Sequence, residues 1–160
     1  MPRQPSKRDA RATLLPAHGV GCGIDIVDIA RFERAAGEWG GPFLRRVFTP
    51  LELSHAAKRR DRLAHLAAHF AAKEAVVKAI AQLDPSHPLV VSQIEVRNDA
   101  MGRPSARLLR SACRAAIHIS LSHERHVAVA CALALADSDA RFSGRATRTV
   151  ARARTSKRPH

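Results

Sequence analysis

Residues 62–83 read RLAHLAAHFAAKEAVVKAIAQL, and the fold turns on what this stretch forms. Leu63, Leu66, Ala67, Phe70, Ala71, Glu74, Val77, Lys78 and Ala81 recur at intervals of three and four, the spacing of one helix face. Asp84-Pro85-Ser86-His87-Pro88 then stops the pattern. A long helix from about Arg62 to Leu83 is expected, with the acid Glu74 inside its apolar stripe.

Toward the N-terminus lies a basic stretch, Lys58-Arg59-Arg60-Asp61-Arg62, and before it Thr49-Pro50-Leu51-Glu52. The latter sets a cap hydroxyl, a proline at the first helical position and a glutamate three residues after the cap, which is a capping box. Phe43 to Phe48 is a short apolar segment behind the Gly37 to Pro42 break. Asp28 suits the N-cap of a helix through about Ala36. Residues 20–27, VGCGIDIV, alternate as a strand, with Val20, Cys22, Ile24 and Ile26 on one side and Gly21, Gly23 and Asp25 on the other. Asp25 thus has glycines as same-face neighbours, an arrangement expected to leave open space for a ligand.

Toward the C-terminus the pattern changes to strands: Leu89 to Arg97, a turn at Asn98 to Gly102, and a return over Ser105 to Leu109. Arg110 to Ala116 reads as a short helix or a loop. Ile117 to Ser122 and Val127 to Leu135 form a hairpin around Ser122-His123-Glu124-Arg125. One strand, a helical excursion and then a meander is the layout of an α+β domain, an antiparallel sheet packed with a long helix.

The chain has 160 residues, 46% of them apolar, which suits one domain with tails. Its net charge of +13 is uneven, with +3 on residues 1–19, +5 on 20–136 and +5 on 137–160. The two ends, 1–19 and 137–160, read as disordered basic tails flanking a compact domain over 20–136, and their charge predicts at most non-specific attraction to nucleic acid. The longest apolar run, Val127 to Ala136, is too short to span a membrane. No apolar segment of a secretory signal follows the basic N-terminus, so a cytoplasmic protein is expected. Cys22, Cys113 and Cys131 have no CxxC spacing and are expected to be three buried thiols. No glycine-rich phosphate loop is present, which removes the usual support for Rossmann or P-loop nucleotide binding.

Asp25 and Glu74 are the most informative pair, since both carboxylates fall where partial burial is expected and a buried charge needs a partner. A divalent cation of the magnesium type, shared with substrate phosphates and waters, is one answer. Ordinary salt bridges, for instance from Glu74 to Lys78 four residues on, are the other. Lys73 and Lys78, with Lys58, Arg59 and Arg60, suit phosphate contacts or a solvated face. His123 shares the parity of Ile117, Ile119 and Leu121 and is expected to point inward at a strand end. His65 and His69 have zinc spacing but lack the glutamate of an HExxH motif.

Read in order, the segments resemble one family. Residues 21–32, GCGIDIVDIARF, are similar to the opening GxGxDIvxixRi of holo-acyl-carrier-protein synthases. Residues 48–53, FTPLEL, match F-T-x-x-E-L, and residues 70–79, FAAKEAVVKA, match F-A-x-K-E-A-x-x-K-A. Ile94-Glu95-Val96 with Asn98 to Pro104 resembles I-E-v-x-n-d-x-x-G-x-P, and residues 119–124, ISLSHE, resemble v-S-l-S-H-e.

The resemblance implies a 4'-phosphopantetheinyl transferase-like fold. It also implies transfer of 4'-phosphopantetheine from coenzyme A to a serine of an apo acyl carrier protein, releasing 3',5'-ADP. By position, Asp25 and Glu74 would hold Mg2+ on the coenzyme A diphosphate, and Glu74, Asp25 and Lys78 would be the catalytic group. Lys73, Lys78, His123, Ser122 and Arg59 would contact the cofactor. Arg31 and Arg34 would face the carrier protein, whose acidity suits a basic core. Short relatives look like homotrimers with sites between subunits, and the small residues Ala128, Ala130, Ala132 and Ala134 of the last strand could bury a sheet face there. The chain departs from the family at Ile80 to Pro85, where a glycine-threonine-glycine stretch is usual and a longer helix is expected. It departs again at His69, where an arginine is common. A basic nucleic-acid-binding module and a non-catalytic scaffold for a carrier protein are the rival readings; five Phe, one Trp and no Tyr offer the former few stacking platforms.

Overall fold

A computed structural model describes residues 19–86, 88–110 and 113–136. The tails, Gly19 excepted, lie outside the described residues. The elements are β1 (Val20–Asp28), α1 (Ile29–Val47), α2 (Pro50–Ala56), α3 (Arg62–Leu83), β2 (Ile94–Asn98), β3 (Pro104–Leu108), β4 (Ala115–Glu124) and β5 (Val127–Ala136), with a 3-10 turn over Val91–Gln93. β1, β5 and β4 form an antiparallel sheet in that order, and β2 pairs antiparallel with β3. The fold is α+β, as the element pattern predicts.

The helix starts follow local sequence. Asp28 accepts a hydrogen bond from the Arg31 N–H at 2.7 Å and opens α1. Thr49 and Glu52 complete the capping box of α2. α1 runs past Ala36, where it was expected to end, to Val47, with a break at Gly40 (φ 58°, ψ −148°), a backbone region essentially restricted to glycine. The strand expected from Leu89 begins only at Ile94, because the 3-10 turn precedes it.

α3 departs from the one-faced helix expected. Leu66, Ala67, Ala68, Ala71, Ala72, Ala75, Val76, Ala79 and Ile80 are all buried, whereas Lys78 and Ala81, placed on the apolar stripe by spacing, are exposed. α3 is therefore a central helix, enclosed by the three-stranded sheet, by β2 and by α1 and α2. Alanine makes this possible, being small enough to let neighbours approach from several sides.

The closest approach is to β1. A Cβ on Gly21 would lie 2.0 Å from the Ala79 carbonyl oxygen, and one on Gly23 2.0 Å from that of Ala75. The space expected beside Asp25 is thus filled by the helix backbone. Ala128, Ala130, Ala132 and Ala134 of β5 turn to the same side and are buried inside the domain, so they do not form an intersubunit face. The opposite side of the sheet carries Val20, Ile24, Ile26, Val127 and Leu133, all exposed. Cys22 and Cys131 are exposed there too and Cys113 is half-buried, which corrects the expectation of three buried thiols.

Candidate active site

The glycines that seat α3 on β1 also bring Asp25, two residues beyond Gly23 on the same side of the strand, against the helix. Lys78 reaches across and donates from Nζ to Asp25 Oδ1 at 2.8 Å and to the Ile24 carbonyl at 2.9 Å. Lys78 thus bridges to the strand and not to Glu74, its neighbour four residues back. Glu74 makes no hydrogen bond or ion pair among the described residues. Burial raises its pKa, the nearby Asp25 raises it further, and Lys78 pulls it back.

Asp25 and Glu74 line one cleft of about 570 Å³, together with Arg31, Phe32, Phe43 and Phe70. Phe32 is the hub of the apolar wall, its ring centroid 6.0 Å from that of Phe43 and 5.9 Å from that of Phe70. Two carboxylate groups near one another, with one cation between strand and helix, fit a hard divalent ion that takes its remaining ligands from phosphates and water. Among the described residues no group of three or more His, Cys, Asp or Glu side chains could hold a metal, so protein groups alone make no closed cage.

Lys73 is corrected. Its side chain is fully buried and donates to Glu52 Oε2 and to the Val47 carbonyl, both at 2.8 Å, so it cannot meet a cofactor. Glu52 also accepts from the Thr49 N–H at 2.8 Å and the Val96 N–H at 3.0 Å. Burial pushes the Glu52 carboxyl up, but His69, Lys73 and the Thr49 N–H outweigh it and hold it below the usual range. Burial draws the Lys73 pKa down, and the Glu52 carboxylate at 2.8 Å, with Glu95, pulls it back up. His69 belongs to this buried knot, with Nδ1 3.8 Å from Glu52 Oε1, so its replacement of the usual arginine is not a change at the surface.

The other expected cofactor contacts collect elsewhere. Arg59 Nε lies 3.4 Å from Asp61 Oδ1, and Asp61 Oδ2 lies 3.7 Å from His123 Nε2. His123 keeps the predicted parity but is exposed, because β4 there runs beyond the core. Ser122, next to it, is exposed on the other side of the strand. Asp61 precedes α3 and Glu74 lies in its middle, about 20 Å apart at 1.5 Å per residue. Neither Arg59 nor His123 is among the residues lining the Asp25–Glu74 cleft. Arg31 lines the cleft, while Arg34 is exposed on α1 outside its lining. The phenylalanines of the wall were not anticipated as site residues, although Phe70 stands four before Glu74 and so on its side of the helix.

The model of the 4'-phosphopantetheinyl transferase superfamily matches residues 21–132. The chain belongs to that superfamily. A holo-[acyl-carrier-protein] synthase of Syntrophus aciditrophicus is 40% identical over 112 residues, which are 66% of this chain and 87% of that protein. Among solved structures, an ACPS–CoA complex described as from Chronobacterium ammoniagenes is similar with a TM-score of 0.64 and 33% identity, over 74% of this chain and 98% of that one. A Bacillus anthracis holo-(acyl-carrier-protein) synthase in complex with CoA (3',5'-ADP) gives 0.61 and 30%, over 73% and 96%. The superfamily match begins at Gly21, the first of the two glycines on which α3 rests.

Proposed function

We propose that this protein is a holo-[acyl-carrier-protein] synthase, which moves 4'-phosphopantetheine from coenzyme A to a serine of an apo carrier protein in fatty acid or polyketide synthesis. The observation that carries the reading is the shared cleft of Asp25 and Glu74, with Lys78 at its edge. The serine Oγ forms a bond to the β-phosphorus, the bond to the bridging oxygen breaks, and 3',5'-ADP leaves with the electron pair. Such a transfer gains mainly from positioning and from neutralising charge on the phosphates.

Asp25 and Glu74 would hold Mg2+, which when bound supplies positive charge to the diphosphate oxygens. Lys78, half-exposed and already between strand and helix, adds a second positive charge at the same edge. Glu74 would also take the serine proton, since burial and the nearby Asp25 raise its basicity. Phe32, Phe43 and Phe70 keep water from one side of the cleft. Arg31 and Arg34, both exposed, give the carrier protein's acidic surface a complement.

The active assembly is a homotrimer in this reading. Arg59, Ser122 and His123 are not in the cleft lining of their own chain, and they can serve the cleft of a neighbour. The exposed side of the sheet supports this, with Ile24 59% and Ile26 66% exposed beside Val20, Cys22, Cys131 and Leu133. An apolar patch of this kind marks an association surface. We assign the protein to the cytoplasm, where exposed free thiols stay reduced; among the described residues no helix is long and apolar enough to cross a membrane.

Incubation of the full chain with coenzyme A, Mg2+ and an apo carrier protein is expected to add the mass of phosphopantetheine to the carrier. A carrier bound but unmodified points to a scaffold, and binding of RNA with no transfer points to a nucleic-acid module. Either result overturns the enzyme reading. Light scattering should give three subunits, and a monomer that turns over would remove the shared site.

A further inference from the structure

Trp39 is the only tryptophan of the chain, and it is 65% exposed. The aromatic residues around it behave otherwise: Phe32 and Phe48 are buried, and Phe43 and Phe70 half-buried, in one ring cluster. Isolated exposed apolar residues are common on protein surfaces and carry no message alone. The position of this one does.

On α1, Arg31, Ala35 and Trp39 follow one another at intervals of four and so lie along one side of the helix. Arg31 and Ala35 line the cleft of Asp25 and Glu74. Trp39 continues that row one turn outward. The chain then breaks at Gly40 and turns so that Phe43 re-enters the wall of the same cleft. Trp39 thus stands one helical turn past the lining residue Ala35 and directly before a break that only glycine tolerates.

The helix that bears it is net basic. α1 carries Arg31, Arg34, Arg45 and Arg46 against Glu33 and Glu38. The Arg45 guanidinium folds back over Gly41, where a Cβ would meet its Nη1 at 2.7 Å. Tryptophan and arginine are the side chains enriched where binding energy concentrates at protein interfaces.

We propose that Trp39 is a docking anchor for the acidic carrier protein, a specificity-determining residue that packs on an apolar side chain near the serine to be modified. The inference rests on the transferase reading above. Coenzyme A, held deeper between the carboxylates, does not need this residue, so its loss separates the two substrates.

The test uses the full chain with Mg2+, coenzyme A and an apo carrier protein. W39A is expected to raise the KM for the carrier about tenfold, with kcat and the KM for coenzyme A within about twofold of wild type, and W39F is expected to recover part of the loss. As the sole tryptophan, Trp39 should also change its emission when the apo carrier is added to the wild-type protein and not when coenzyme A is added. An unchanged carrier KM in W39A, or unchanged emission at carrier concentrations that saturate turnover, overturns the proposal. Absence of transfer by the wild-type protein defeats the transferase reading instead, and the emission on carrier addition then still decides for Trp39.

Discussion

α3 carries two lysines five residues apart, and each holds a carboxylate at 2.8 Å. Lys73 and Glu52 are sealed from solvent, whereas Lys78 and Asp25 stand at the rim of a cleft, with the Lys78 side chain half-exposed. Five residues turn a helix by about 140°, so one lysine faces the capping box of α2 while the other faces β1. The chemistry of the pairs is the same and their surroundings are opposite. In the sealed pair every polar atom of the carboxylate has a protein partner, and the knot joins the end of α1, the start of α2, α3 and β2. In the open pair the carboxylate keeps an oxygen for a ligand, and Glu74 beside it keeps both. Burial makes the first a structural device, and access makes the second a chemical one.

The sharpest break of this contrast is to remove one lysine at a time. Lys73→Ala leaves Glu52 buried without its cation and is expected to cost about 3–5 kcal/mol of stability, read as a lower urea midpoint; a loss below about 1 kcal/mol would show that water reaches the knot. Glu74→Gln and Asp25→Asn are expected to lower transfer by at least roughly 10³-fold, the scale of several kcal/mol lost at the phosphates, with the unfolding midpoint unchanged. Full activity in either variant would overturn the shared two-carboxylate site.

A titration sharpens the sealed side. Burial first, and then the neighbouring His69 and Arg59, push His65 down to about 4, with Asp61 opposing. The unfolded chain binds that proton near pH 6.5 and the folded one does not. The contribution of His65 is therefore complete above pH 6.5 and fades as the pH falls toward 4, by up to about 3 kcal/mol. Urea unfolding of the wild-type protein and of His65→Asn at pH 7 and pH 4.5 measures it, and equal pH dependence in both would contradict the assignment. The smallest effect is that of Lys78→Ala on stability, below about 1 kcal/mol for a half-exposed pair, while its transfer rate falls. A Lys78→Ala protein as unstable as Lys73→Ala would erase the distinction.

Much of this was readable beforehand where the cause is local. Asp28 and the Thr49–Glu52 box announce their helices because a cap and its partner lie three residues apart. The two carboxylates were legible as a pair because each breaks an apolar pattern. Lys73 was not, since spacing cannot say which side of a helix is covered when nearly every side is. Gly21 and Gly23 were read as space for the same reason: a missing side chain shows that something comes close, and only the fold shows that it is the carbonyl of Ala75 or Ala79. The parity of His123 was right and its exposure was missed, because parity does not say where a strand outruns the core.

The seat of α3 on the two glycines ties the fate of the pocket to the interior. One wall, β1 with α3, admits no added methyl group, so attempts to retune substrate choice there will be met as folding defects before they register as selectivity. The α1 wall, broken at Gly40 and bordered by solvent at Arg31, Arg34 and Trp39, leaves more room for change. Laboratory evolution toward unfamiliar carriers should accumulate its changes along α1.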